Sequence, residues 1–171
     1  MVDLRSKIRE IPNFPREGIL FYDITTLLKD AVAMQRAVDK IADYFEGDAV
    51  QKVVAVESRG FILGAPVAYR LGVGFVPVRK AGKLPSDVYE AKYDLEYGSG
   101  ALAIHQDAVS PGERIIIVDD LLATGGTIAA TIDLVKQLGA DVVGVAFLVE
   151  LGKLKGRDKL AGYNVLSLIN Y

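Results

Sequence analysis

Ile115-Ile116-Ile117-Val118-Asp119-Asp120-Leu121-Leu122-Ala123-Thr124-Gly125-Gly126-Thr127 runs from an unbroken aliphatic stretch, through two adjacent acids, into a Thr-Gly-Gly-Thr turn. A helical pattern follows, about Thr127 to Leu138, closed by Gly139. β-Branched residues without polar alternation suit a strand covered on both faces, as in parallel sheets. Open α/β sheets bind ligands at the carboxyl ends of their strands, so a site is expected where this strand meets this helix. Gly125 and Gly126 let successive N–H groups face one point, and the helix N-terminus adds the positive end of its dipole. Thr124 and Thr127 add hydroxyl donors, completing a seat for a phosphate. Asp119 and Asp120 offer acceptors to a vicinal diol and tolerate a hard cation. A plain tight turn after two solvated acids accounts for each part singly, but not for strand, acids and turn in this order. No Gly-x-x-x-x-Gly-Lys-Ser/Thr occurs, so the turn is not a Walker A loop.

Outward from this junction, Val53 to Val56, Phe75 to Val78 and Val142 to Val149 are further apolar runs, with a helical pattern at about Phe61 to Leu71. Strand, helix, strand in succession implies right-handed crossovers and an α/β fold on a mostly parallel sheet. Ala31 to Glu46 sets Val38, Ile41, Ala42 and Phe45 on one face, with Asp30 as N-cap and Gly47 as stop. Ala81 to Gly100 breaks the rhythm with Pro85, glycines and a polar stretch holding Tyr89, Tyr93 and Tyr97, and is expected to be a functional loop.

A second polar turn, Glu57-Ser58-Arg59-Gly60-Phe61, ends the Val53 strand. Arg59 beside a turn glycine fits a cluster of phosphate oxygens. Another basic group, Arg79-Lys80-Ala81-Gly82-Lys83, follows the third strand; a solvated loop is its alternative reading. His105 is the one histidine, and a single imidazole does not make a metal site, so it is read as structural or surface.

The 171 residues are expected to form one domain. A net charge of -2 excludes broad, sequence-independent nucleic-acid binding, which needs a clustered cationic excess. The absence of cysteine removes disulfides and thiolate metal sites. Charges interrupt the first residues as they would not in a signal peptide, and no apolar run reaches about 18 residues, so neither secretion nor a membrane span is expected. A cytoplasmic location fits.

Val118 to Thr127 resembles the signature by which type I phosphoribosyltransferases bind phosphoribosyl pyrophosphate (PRPP). The resemblance extends from Pro15 to Ile169. It implies a single-domain type I fold: a central mostly parallel sheet flanked by helices, a small hood from about residues 1–30 plus the final segment, and a mobile catalytic loop at about 81–100. It places ribose on Asp119 and Asp120 and the 5-phosphate on Ala123, Thr124, Gly125, Gly126 and Thr127. It places pyrophosphate on Glu57, Ser58 and Arg59, in a loop that often holds a non-proline cis peptide, and on Arg79, Lys80 and Lys83. The arginine matching Arg79 reaches into a partner's site in such enzymes, which implies a homodimer.

Tyr93-Asp94-Leu95-Glu96-Tyr97-Gly98 is similar to the catalytic loop of the adenine-specific members, where the glutamate matching Glu96 handles the purine proton. Gly18 to Thr25 resembles their hood, with adenine bound by Leu20, Phe21 and Tyr22 and faced by Leu151. Many members carry Arg where Tyr22 stands. The implied reaction is one of purine salvage: adenine and PRPP give AMP and pyrophosphate, with Mg²⁺ arriving on PRPP near Asp119 and Asp120. Two other readings stand beside it. One is a relative specific for hypoxanthine, guanine or xanthine, in which the Leu95 to Gly98 string would be out of place. The other is a PRPP-sensing DNA-binding regulator, which needs a basic face.

Overall fold

The computed structural model describes residues 3–94 and 99–171. In chain order its main elements are β1 (Arg9–Pro12), β2 (Leu20–Asp23), α1 (Thr25–Leu28), α2 (Ala31–Phe45), β3 (Lys52–Val56), α3 (Arg59–Leu71) and β4 (Gly74–Lys80). Then come β5 (Val88–Asp94), β6 (Ser99–His105), β7 (Arg114–Leu122), α4 (Gly126–Gln137), β8 (Asp141–Glu150) and β9 (Val165–Asn170). Strands β1 and β2 form a hairpin of their own; the others make a seven-stranded sheet in the order β5-β6-β4-β3-β7-β8-β9. Pairings from β4 through β3, β7 and β8 to β9 are parallel, while β6 joins β4 and β5 antiparallel.

The aliphatic runs form strands because both their faces are covered. Val54, Val56, Ile115, Ile117, Val145 and Phe147 pack with Ile128, Ile132, Leu134 and Val135 of α4. Their neighbours in sequence, Val53, Ile116, Val118, Ala146 and Leu148, point to the other face and meet α2 and α3 through Ala37, Ile41, Phe45, Leu63 and Val67. Alternation along each strand thus supplies two cores, and neither face leaves room for polar residues. Asp30 caps α2 as expected, its carboxylate accepting from the Ala33 N–H at 3.1 Å. The helix does not stop on Gly47: a 3-10 turn, Glu46–Asp48, prolongs it, and the left-handed residue is Ala49, with φ of 48°.

The segment at 81–100, expected to be loop throughout, is part strand. Residues 88–94 form β5, paired with β6 from Val88 opposite His105 to Tyr93 opposite Gly100. Ala91 and Tyr93 pack on the α4 core while Glu90 and Lys92 face solvent. A half-exposed edge strand alternates rather than running apolar, so its polar members read as loop.

Candidate active site

Strands β3 and β7 lie side by side and parallel, yet the chain leaves β3 toward β4 on one flank and β7 toward β8 on the other. Connections that diverge between adjacent strands open a crevice at their carboxyl ends. A cleft of about 260 Å³ occupies that place. Both polar turns line it: Glu57, Ser58 and Arg59 after β3, and Asp119 and Asp120 with Ala123 to Thr127 after β7. Lys80 and Tyr93 close it from β4 and β5.

Within the phosphate turn, Thr124 is exposed while Gly126 and Thr127 are half-buried at the start of α4. Gly125 takes a left-handed φ of 78°, and a Cβ there would stand 2.5 Å from the Gly156 carbonyl oxygen. Gly156 in turn leaves no room for a Cβ, which would overlap the Ala123 carbonyl oxygen. The turn therefore rests on a second, distant glycine. Arg157 holds that support in place: it forks onto Glu150 at 3.0 and 2.5 Å and reaches the Val165 carbonyl at 3.1 Å. The guanidinium keeps the Glu150 carboxyl below its ordinary value. Sequence reading missed Gly156 and Arg157, because nothing local separates them from any other surface Gly-Arg pair.

Asp119 and Asp120 are 8% and 5% exposed, yet both line the cleft. Burial pushes the Asp119 carboxyl well above the usual carboxylate range, and the charge of Asp120 adds to that. Burial raises Asp120 too, against the pull of Arg59, whose Nε lies 2.9 Å from its Oδ2. Gly60 makes the packing possible, since a Cβ there would sit 2.7 Å from Asp119 Oδ1. The Glu57–Ser58 peptide is cis.

Arg79 and Lys83 lie outside the cleft lining. Arg79 forks onto Glu57 of its own chain at 3.0 and 3.1 Å and donates to the Lys83 carbonyl at 3.0 Å. This fork holds the Glu57 carboxyl below its ordinary value. Leu20, Phe21 and Tyr22 are consecutive on β2, so Phe21 and Tyr22 face opposite sides. Phe21 meets Phe14 edge-on at 5.1 Å, whereas the Tyr22 ring stacks on Tyr171 at 3.9 Å. Leu151 follows β8 and donates its N–H to the Leu122 carbonyl at 2.9 Å, beside the phosphate turn. Glu96 lies outside the described residues. His105 pairs with Val88 across the hairpin, its Nε2 buried. Among the described residues no group of three or more His, Asp or Glu side chains could cage a metal ion.

A family model for the phosphoribosyl transferase domain matches residues 25–170. The adenine phosphoribosyltransferase of Clostridium perfringens is 58% identical over 170 residues, 99% of each chain. The crystal structure of adenine phosphoribosyltransferase from Thermoanaerobacter pseudethanolicus has a TM-score of 0.94 at 54% identity and covers 98% of both chains. That from Saccharomyces cerevisiae, complexed with an imino-altritol bisphosphate and adenine, has a TM-score of 0.92 at 43% identity over 96% of both. With this fold, and with two polar turns and paired acids on one crevice, the chain belongs to the type I phosphoribosyltransferases, among the adenine phosphoribosyltransferases.

Proposed function

We propose that this chain joins N9 of adenine to C1 of the ribose of PRPP, releasing pyrophosphate and yielding AMP. The observation that carries this reading is the convergence of the two turns on one cleft with two buried acids between them. An anion at each end and a diol in the middle is the outline of PRPP, and the relatives of similar length bear the name of this activity.

The Ala123 to Thr127 turn holds the 5-phosphate through its amides and threonine hydroxyls, and Asp119 and Asp120 accept from the ribose hydroxyls. Glu57, Ser58, Arg59 and Lys80 face the pyrophosphate, with Arg79 and Lys83 adding positive charge behind them. Donors already aimed at the leaving group need no reorganisation as its charge grows. The C1–O bond breaks with its electron pair on pyrophosphate while N9 approaches an oxocarbenium-like carbon. Protonated Glu96 donates to N7, N9 passes its proton to an oxygen of the departing pyrophosphate as it bonds to C1, and N7 then returns its proton to the Glu96 carboxylate. Adenine lies between Phe21 and Leu151, its edge read by backbone groups of Leu20 and Tyr22. A catalytic loop closing over the site keeps water from the carbon.

Mg²⁺ fits this donor set as an ion carried by the substrate. Two adjacent buried carboxylates supply hard oxygens but too few for an all-protein cage, the usual state of a magnesium site on phosphate substrates. Asp119 and Asp120 would hold it, and it would neutralise charge on the pyrophosphate. A homodimer and a cytoplasmic location belong to the same proposal. No helix among the described residues is long and apolar enough to cross a membrane. Sedimentation at micromolar concentration tests the dimer.

Incubation with PRPP, Mg²⁺ and each purine base in turn, followed by product chromatography, tests the activity. Adenine is expected to be converted far faster than hypoxanthine, guanine or xanthine, and a preference for an oxopurine would refute the specificity.

A further inference from the structure

We infer that Tyr171 is a positioning residue for the purine, tying the two walls of the base site, Phe21 and Leu151, to each other. This rests on the reading that adenine lies between them. The backbone of Tyr171 brackets Leu151: its N–H donates to the Glu150 carbonyl and its carbonyl accepts from the Gly152 N–H, both at 2.9 Å. Leu151 itself donates to Leu122, one residue before the phosphate turn, so its wall is anchored on both flanks.

Among the described residues the other wall has no such backbone anchor. Phe21 sits on the β1–β2 hairpin, which shares no ladder with the seven-stranded sheet. A lone two-stranded hairpin is marginal in water, so its place over the site depends on side-chain contacts. The Tyr171 ring provides one, stacked at 3.9 Å and 31° on Tyr22, the residue next to Phe21. Arg5 lies 4.4 Å from the Tyr171 centroid, a second contact on the same ring. Burial pushes the Tyr171 phenol above its ordinary value. One residue therefore holds Leu151 by backbone and Phe21 by ring, so losing the ring releases one wall while the other stays fixed. Preorganised walls bind a planar base better because less freedom is lost on binding.

The test is steady-state kinetics on Tyr171→Ala, Tyr171→Phe, Phe21→Ala and Leu151→Ala, with melting temperatures for each. Tyr171→Ala is expected to raise KM for adenine about 3- to 10-fold, as loss of one aromatic stack implies, with KM for PRPP changed less than about twofold. Tyr171→Phe, which keeps the ring, should restore the wild-type value. The proposal falls if the Phe variant is as impaired as the Ala variant, or if both KM values rise together with a lowered melting temperature. If Tyr171→Ala changes nothing while Phe21→Ala raises KM for adenine, the tie is refuted and the base placement stands. If Phe21→Ala and Leu151→Ala both leave KM for adenine unchanged, the placement fails and the tie with it.

Discussion

Asp119 and Asp120 are adjacent acids held out of water, and their raised carboxyl pKa values have a consequence for stability that runs against function. A carboxyl whose pKa is raised on folding binds protons more tightly in the native state, so stability declines as pH climbs above the ordinary 3.8 toward the raised value. Asparagine mimics the protonated form at any pH. Asp119→Asn with Asp120→Asn should therefore melt higher than wild type at pH 8, by roughly 2–4 °C if the gain is about 1 kcal/mol. The difference should vanish near pH 4, as calorimetric scans at both pH values would show. The same variant should lose most of its affinity for PRPP by titration calorimetry, and wild-type affinity would remove the pair from the ribose site. Glu96→Gln is expected to lower kcat by about 10²–10⁴, with KM for PRPP little changed, because a neutral amide cannot pass a proton. Unchanged turnover in a stopped assay would exclude Glu96 as the proton handler.

Among the elements, the phosphate turn before α4 depends on the segment after β8, where Gly125 and Gly156 meet with no space for either Cβ. Gly156→Ala should push the turn out of register, destabilising the protein by about 1–3 kcal/mol and raising KM for PRPP more than KM for adenine. Urea melts and initial rates measure the two effects separately. At the hood, Asp23 accepts from the Thr25 N–H at 2.9 Å and pairs with Arg9 at 2.7 Å, and its carboxyl is lowered to about 2, chiefly by Thr25. The sign here is opposite to that of the buried pair: a depressed carboxyl stabilises above its ordinary 3.8, and that contribution disappears as pH falls toward 2. Asp23→Ala is expected to lose about 1 kcal/mol at pH 7 and progressively less between pH 4 and pH 2, followed by chemical denaturation.

At the scale of the molecule, two cores share one sheet, so the site depends on packing far from it. Phe147 is fully buried in the core shared by β7, β8 and α4. Phe147→Ala should cost about 3–5 kcal/mol, lowering the urea midpoint, and should weaken adenine and PRPP binding together, since both turns hang from strands of that sheet.

The strands at 53–56, 75–78, 115–118 and 142–149 were legible because burial on both faces leaves a run with no polar member. The turn at Thr124 to Thr127 was legible because a left-handed residue, Gly125 with φ of 78°, calls for glycine. The strand at 88–94 was not, since an edge strand shows solvent half its residues and its sequence alternates. By itself, then, the sequence determined the strands covered on both faces, the three long helices and the glycine turns that follow the strands, since these follow from side-chain size, polarity and φ preference over a few residues. Only the tertiary structure decided that Glu57 to Arg59 and Asp119 to Thr127 face one another across β3 and β7, that Gly156 seats the phosphate turn, and that Tyr171 lies on Tyr22. These pairings depend on strand order and chain reversal, and a contact between residues distant in sequence leaves no local pattern to read.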